Sequence, residues 1–175
     1  KTPETDGNKL QTRDMLHISL KDLQTDEIYD YIVCHHPSKF GGEESSRPKR
    51  LAAMTALKEM CDSLSNRNLI VMGDFNDVPS AAQFDMLDSS LVNKSDSLHA
   101  AGRGTIRYEG KWELIDMFLV SPHISDNTEM EIVKVPFLMT RDTKHPGEKP
   151  LRTYSGPRHL GGVSDHLPVV LYFRK

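Results

Sequence analysis

The chain of 175 residues is 37% hydrophobic and carries a net charge of -3, with a pI near 6.2. This length suits one domain with its own core, or part of a larger one, since domains cluster near ~100–150 residues. The acidic balance argues against a dedicated nucleic-acid-binding domain, which would be strongly basic, and no run reaches the ~18 apolar residues of a membrane span. Cys34 and Cys61 are too few for a disulfide framework, and both lie in apolar stretches typical of buried thiols.

The first third of the sequence predicts a polar tail, two strands and a helix. Residues 1–12 are polar and predict a solvated tail. Residues 15–20 alternate between apolar and polar side chains, and residues 28–34 form a run rich in Tyr, Ile and Val, so we expect two antiparallel strands. A helix is expected from about Pro48, because proline suits the first helical position and two serines lie just upstream as caps. Its expected buried face consists of Leu51, Met54, Leu57, Cys61 and Leu64.

Residues 69–79 predict a buried strand that ends in polar side chains. Four consecutive apolar residues, 69–72, suit a strand covered on both faces, and they run into a glycine, two carboxylates and an amide. Ligands of open α/β sheets usually bind at the carboxyl ends of the strands. The remaining expected elements are a short helical segment at 81–87, a loop through residue 101, strands at 105–108 and 112–120, a long loop at 141–159 and a last strand at 167–173.

Asp116 is the only charged residue in the apolar stretch 114–120. A carboxylate inside such a strand needs a partner, because an unpaired buried charge costs roughly several kcal/mol. We therefore expect Asp116 to pair with a group from another element.

Four predicted strands carry acidic, amide or imidazole side chains at or near one end. These are His35, then Asp74 with Asn76, then Asp116, then Asp165 with His166. Two basic segments flank them: residues 38–50 hold four positive and two negative charges (+2), and residues 141–159 hold five and two (+3). One polar strand end is usually a turn, but four together favour a common site that attracts an anion.

The chemistry of these groups favours a metal ion and a phosphate. Residues 164–166 (SDH) cannot form a Ser-His-Asp triad, because the side chains of adjacent residues diverge. Neither cysteine lies in a CxxC pair and no HExxH occurs, so no zinc set is apparent. Several carboxylates with an amide and histidines instead suit a hard cation such as Mg²⁺ acting on a phosphate ester.

Three short blocks follow one another along the chain: residues 73–76 (GDFN), 115–116 (ID) and 162–169 (GVSDHLPV). They resemble the GDFN, ID and SDH-x-P blocks of the endonuclease/exonuclease/phosphatase superfamily, which has the DNase I-like fold. His35 resembles that family's histidine at a strand end. The match in order and rough spacing extends from Arg13 to Phe173.

Two further stretches, residues 149–154 and 161–162, are similar to a bacterial branch of the superfamily. That branch usually has a tryptophan where His36 stands, so His36 is a departure from the pattern. The resemblance therefore favours His35 over His36.

The resemblance implies which groups bind the phosphate and the metal. His35 and Asn76 would hold phosphate oxygens, and His166 would also contact the phosphate. Asp165 would help to bind Mg²⁺, or Mn²⁺ in its place. The substrate implied is an anionic phosphate ester.

The resemblance also implies the acid–base groups. Asp74 would position or deprotonate the attacking water. Asp116 would fix the tautomer and charge of His166, which supplies the partner that a buried Asp116 requires. Whether Asp74 or the Asp116–His166 pair is the base stays open at this point.

The family fold is a four-layer α/β sandwich of two similar halves, with mixed, mostly antiparallel sheets and flanking helices. Its first half carries an asparagine and a glutamate that is a main metal ligand, and nothing before Arg13 can be that half. We therefore expect residues 13–175 to be the C-terminal portion of such a domain. The missing N-terminal half would leave the metal site incomplete and one sheet face uncovered.

The expected function is Mg-dependent hydrolysis of a phosphate ester, as a phosphodiesterase or phosphatase. One alternative is a nuclease, which the acidic pI disfavours. Another is a non-catalytic binding fragment, which the missing glutamate favours and the intact set around Asp74 disfavours. We expect a soluble domain, exported if a signal peptide precedes Lys1.

Overall fold

The computed structural model describes residues 12–174 and the backbone of residues 4–5 and 8–9. Its elements in chain order are β1 (Glu4–Thr5), β2 (Asn8–Lys9), β3 (Leu16–Lys21), β4 (Ile28–His35), α1 (Glu43–Ser63), β5 (Asn68–Asp74), a 3₁₀ helix (Ala82–Met86), β6 (Val92–Asn93), α2 (Asp96–Ala100), β7 (Ile106–Tyr108), β8 (Lys111–Glu113), β9 (Asp116–Val120), α3 (Pro122–Ser125), β10 (Thr128–Ile132), a second 3₁₀ helix (Pro136–Leu138), β11 (Met139–Arg141), β12 (Glu148–Pro150), β13 (Tyr154–Ser155), β14 (Arg158–His159) and β15 (Val169–Phe173).

A five-stranded sheet in the order β3-β4-β5-β9-β6 forms the centre of the molecule. β4 and β5 are parallel, and the other three pairs of neighbours are antiparallel. The sheet is therefore mixed and mostly antiparallel, as the sequence predicts. Helix α1 buries Met54, Leu57 and Cys61 in the core, together with the central residues of β5.

The register of the three central strands brings their polar ends side by side. Asp74, at the end of β5, lies opposite His35 at the end of β4. On its other side Asp74 lies opposite Asp116, the first residue of the antiparallel strand β9. Three chain segments far apart in sequence thus present one imidazole and two carboxylates at the same edge of the sheet.

Gly73 makes the close contact that holds β4 against β5 just before these residues. A Cβ atom at position 73 would lie 1.9 Å from the carbonyl oxygen of Cys34, and φ of Gly73 is +144°. Both the space and the backbone conformation therefore require glycine.

Helix α1 begins at Glu43, five residues before the expected start at Pro48. The side chain of Ser46 donates to the carbonyl of Gly42, and the buried Arg50 donates to both Ser46 and Glu43. These contacts hold the first turn together, so Pro48 sits inside the helix without ending it. Leu51, expected on the buried face, is about half exposed at 47%.

Other expected boundaries also change. The predicted strand 112–120 is two strands, β8 and β9, separated at Leu114 and Ile115. The predicted loops at 88–101 and 141–159 contain short elements, among them β6, α2, β12 and the β13–β14 pair. Within the predicted tail β1 pairs with β2, and the remaining residues of 1–11 lie outside the described residues.

Both cysteines are free and buried, as expected. Among the residues that the structure describes, no helix combines the length and the apolar character that crossing a membrane requires. At the edge of the sheet, β3 exposes alternate apolar side chains on one face: Leu16 at 56%, Ile18 at 36% and Leu20 at 53%.

We predict that Gly73→Ala lowers the free energy of unfolding by about 3 kcal/mol or more, because its methyl group overlaps the Cys34 carbonyl. Gly102→Ala is the matched control: its φ is +69° but nothing lies within 4 Å of an added Cβ. Gly102→Ala is expected to lower the free energy of unfolding by about 1 kcal/mol, because only the strain of the left-handed backbone conformation is added. Urea unfolding measures both, and equal losses would contradict the role assigned to the contact.

Candidate active site

Asp74, Asp116 and His166 converge at the edge of the central sheet. Each offers one ligand atom, and these three atoms lie within 4.8 Å of one another. All three side chains are partly buried. The structure thus brings together three of the residues that the sequence predicts for the site.

Asp116 has the partner that its apolar surroundings require. Its carboxylate Oδ2 lies 2.8 Å from Nδ1 of His166. With Nδ1 held by a carboxylate, the other ring nitrogen, Nε2, is the one left for a ligand.

Thr105 holds the two halves of this pair in place, and sequence reasoning missed it. Its carbonyl accepts a hydrogen bond from the backbone N–H of Leu167 at 2.7 Å. Its hydroxyl Oγ1 accepts from the backbone N–H groups of Ile115 and Asp116 at 3.3 and 3.4 Å. A fully buried threonine at the start of a strand resembles any other strand residue, so nothing in the sequence singled it out.

The pKa of His166 is raised above its ordinary value. The hydrogen bond to Asp116 is the largest cause, burial opposes it, and the charges of Asp116, Asp74 and Asp165 add to the increase. His166 is therefore held as a hydrogen-bond donor over a wider pH range than a free histidine.

Asp74 lies between His35 and Asn76. Its Oδ1 accepts the backbone N–H of Asn76 at 2.8 Å, and its Oδ2 lies 3.4 Å from Nε2 of His35. Burial raises the pKa of Asp74, the Asn76 N–H opposes this, and the nearby Asp116 carboxylate raises the pKa further. The net effect is a carboxyl group that is more basic than usual.

Asn76 is turned towards protein groups. Its side-chain Nδ2 donates to the carbonyl of His36 at 2.9 Å and to Asp74 Oδ2 at 3.2 Å. Its φ is +51°, a conformation that asparagine tolerates better than most residues. The side-chain amide of Asn76 thus joins Asp74 to the backbone of His36, and the predicted contact of Asn76 with phosphate stays a prediction.

His36 has a structural place beside the site. It is 1% exposed and packs edge-on against Phe75, with ring centroids 5.1 Å apart. Neither ring nitrogen has a hydrogen-bond partner among the described residues. Burial, together with the charge of His35, lowers its pKa to about 4. His36 is therefore a neutral packing residue at neutral pH, and His35 is the histidine that faces Asp74.

Asp77, directly after Asn76, is buried in a network of ionic contacts. Its carboxylate accepts from Arg50 Nε at 3.2 Å and from Gln83 Nε2 at 3.2 Å, and it lies 2.9 Å from Lys39 Nζ. This network fixes the loop that carries Asn76. Residues 38–50 were expected to attract an anion through their positive charge. Because Lys39 and Arg50 are paired with Asp77, they contribute less to that attraction.

Asp165 lies outside the cluster of three ligand atoms. Its carboxylate Oδ2 accepts from Nη2 of Arg152. Burial raises the pKa of Asp165, but the hydrogen bond and charge of Arg152 outweigh it, and the net pKa is lowered. Asp165 is thus an ionised carboxylate next to His166, and its predicted role as metal ligand stays a prediction.

The donor set fits a hard divalent cation. Burial is the main cause of the raised pKa of Asp74, and the facing Asp116 carboxylate adds to it; a cation between the two carboxylates would offset both effects. Asp74 and Asp116 are the described residues best placed to hold such an ion, with His166 beside them.

A model of the endonuclease/exonuclease/phosphatase family matches residues 2–175. The chain belongs to this family. The matched region includes the three sequence blocks at 73–76, 115–116 and 162–169. A comparison with curated proteins finds no match.

Several solved structures share the fold. The mannosyl-6-phosphatase Bt3783 of Bacteroides thetaiotaomicron VPI-5482 is 18% identical, with a TM-score of 0.54 over 87% of this chain and 54% of that one. An AP endonuclease from Archaeoglobus fulgidus is 17% identical, with a TM-score of 0.58 over 90% and 64%. A mutant beta toxin of Staphylococcus aureus with bound magnesium ions is 15% identical, with a TM-score of 0.58 over 92% and 57%.

These likenesses establish the DNase I-like fold of the chain. The chain spans about half the length of several of the structures that it matches.

We predict that Asp116→Asn lowers the pKa of His166 towards its ordinary value, because the carboxylate that stabilises the imidazolium is lost. Proton NMR of the imidazole measures this directly. Asp88→Asn, which removes a carboxylate outside the cluster, should leave the His166 pKa in place.

The ion pair between His166 and Asp116 also makes the stability of the fold depend on pH. Because the folded-state pKa of His166 is raised, its contribution is fully present below the ordinary value of 6.5 and is lost as the pH rises through the folded pKa. The difference in unfolding free energy between the native protein and Asp116→Asn should therefore be larger at pH 6 than at pH 9. A pH-independent difference would argue against this ion pair.

Proposed function

We propose that this protein is a Mg-dependent hydrolase of small phosphate esters. The observation that carries the proposal is the convergence of Asp74, Asp116 and His166, whose ligand atoms lie within 4.8 Å of one another. Family membership supports the reaction class.

In the proposed mechanism Asp74 is the base. The backbone N–H of Asn76 holds its carboxylate in one orientation, so that Asp74 can accept a proton from the attacking water. His166 is the complementary donor, because its Nδ1 faces Asp116, which raises the pKa of the imidazole, and its Nε2 is left to donate to a phosphate oxygen. A divalent cation held by Asp74 and Asp116 would stabilise the negative charge that develops on the phosphate. His35 lies at the same edge and would donate to a phosphate oxygen.

The charges around the site favour a small ester over a nucleic acid. In the basic segment 38–50, Lys39 and Arg50 form ion pairs with Asp77. In the segment 141–159, Lys149 forms an ion pair with Asp142. A long polyanion needs a continuous track of free positive charge, and these contacts break it.

We also propose that full activity requires a further segment preceding these residues, corresponding to the other half of the family's domain. Two observations support this: the chain spans about half the length of matching structures, and β3 exposes Leu16, Ile18 and Leu20 on one face. That segment would cover the apolar face and supply the remaining metal ligand.

We predict that the protein produced together with the segment encoded upstream hydrolyses bis(p-nitrophenyl) phosphate or p-nitrophenyl phosphate when Mg²⁺ or Mn²⁺ is added, and loses activity in EDTA. The 175-residue chain alone should show much weaker turnover. Asp74→Asn should lower kcat by about 10²–10⁴-fold, because it removes the base and a metal ligand together.

Asp88→Asn is the control for the loss of one negative charge and should retain activity. Turnover by the 175-residue chain equal to that of the longer protein would contradict the need for a second segment. Metal-dependent cleavage of DNA with a steep loss at high salt, in the absence of small-ester turnover, would favour a nuclease instead. No turnover by either form would favour a binding role.

A further inference from the structure

Arg152 is a cation beside the site that has no role in the mechanism above. Its Nη2 donates to Asp165, the residue next to His166. Half of the Arg152 side chain is still exposed. Nη2 of the guanidinium is thus anchored on a side chain that is only half buried, and a guanidinium has five N–H donors, enough to bind a carboxylate and a phosphate together.

The backbone around Arg152 is fixed against the loop that carries His166. The hydroxyl of Thr153 donates to the carbonyl of Val163 at 2.7 Å. On the other side, the carbonyl of Leu151 passes so close to Gly162 that a Cβ there would lie 1.9 Å from it. The contact with Asp165 therefore comes from two chain segments that pack together, and the position of Arg152 is built into the fold.

A second arginine, Arg107, binds the backbone a few residues before Arg152. Arg107 donates to the carbonyl groups of Pro146 and Glu148 at 2.6 and 2.9 Å, and it lies 3.6 Å from the carboxylate of Asp142. The side chain of Arg107 is almost buried, so its charge serves structure. Unlike Arg107, Arg152 is half exposed, although its charge is paired with Asp165.

The charge of the substrate determines how much it gains from the guanidinium of Arg152. Asp74 and Asp116 bring two carboxylates to His166, and the guanidinium of Arg152 offsets the charge of the neighbouring Asp165. A phosphate monoester dianion meets twice the electrostatic repulsion from them that a diester monoanion meets, and it gains twice as much from one added positive charge. Loss of that charge must therefore weaken the dianion more.

We propose that Arg152 binds a non-bridging phosphate oxygen of the substrate and makes the site select phosphomonoesters over phosphodiesters. This inference rests on the proposed function, whose substrate class it narrows. Asp165 is then the positioning residue that holds Arg152 beside the phosphate.

The test compares Arg152→Gln with Arg158→Gln, which removes the same charge from the same basic segment. In the longer protein with Mg²⁺, Arg152→Gln should lower kcat/KM for p-nitrophenyl phosphate by about 30-fold or more, and for bis(p-nitrophenyl) phosphate by about threefold. Arg158→Gln should change the ratio of the two values by less than about twofold. Arg152→Lys, which keeps the charge but not the fork of donors, should fall between the two glutamine variants.

A second readout does not depend on turnover. Isothermal titration calorimetry with inorganic phosphate at pH 8 in EDTA should show binding to the unchanged protein that Arg152→Gln weakens about tenfold and Arg158→Gln leaves nearly unchanged. An unchanged ester ratio and unchanged phosphate affinity in Arg152→Gln would overturn this inference and leave the proposed function standing. Equal effects of the two glutamine variants would also overturn it, because net charge would then suffice. If neither ester is hydrolysed, the proposed function fails, and the phosphate titration still decides the role of Arg152.

Discussion

The contact between Gly73 and the carbonyl of Cys34 sets the spacing on which the rest of the site depends. Because no Cβ separates them, β4 and β5 meet closely at their carboxyl ends. That closeness places His35 opposite Asp74, and the antiparallel strand β9 then brings Asp116 to the other side of Asp74. The site is therefore a product of sheet register, and its groups are held by rigid elements more than by loops.

Charges near the site fall into two groups that the fold treats differently. Arg50 and Lys39 are neutralised by Asp77 and Glu43 in a partly buried network that stabilises the loop after β5. Asp74 and Asp116 instead face each other only partly buried: burial, with the Asp116 charge adding to it, raises the pKa of Asp74, and the hydrogen bond to Asp116 raises the pKa of His166. Structural ion pairs cancel charge, whereas the facing carboxylates keep a negative field that a cation or a protonated histidine can use.

Sequence patterns predicted the sheet elements and the set of site residues, because runs such as 69–72 and the three sequence blocks are local signals. Patterns could not show that Arg50 is buried against Asp77, since both read as solvent-exposed charges. Nor could they place Thr105, whose contacts join segments ten or more residues away. The start of α1 was misplaced because Pro48 dominated the local signal, while the tertiary contacts of Arg50 extend the helix.

The most direct test of the proposed metal site is a crystal structure of the protein with Mn²⁺, in which an anomalous difference map locates the metal. The account predicts a peak between the carboxylates of Asp74 and Asp116, beside a His166 that keeps its hydrogen bond to Asp116. Manganese bound elsewhere, or a structure in which Asp74 and Asp116 do not share the ion, would contradict it.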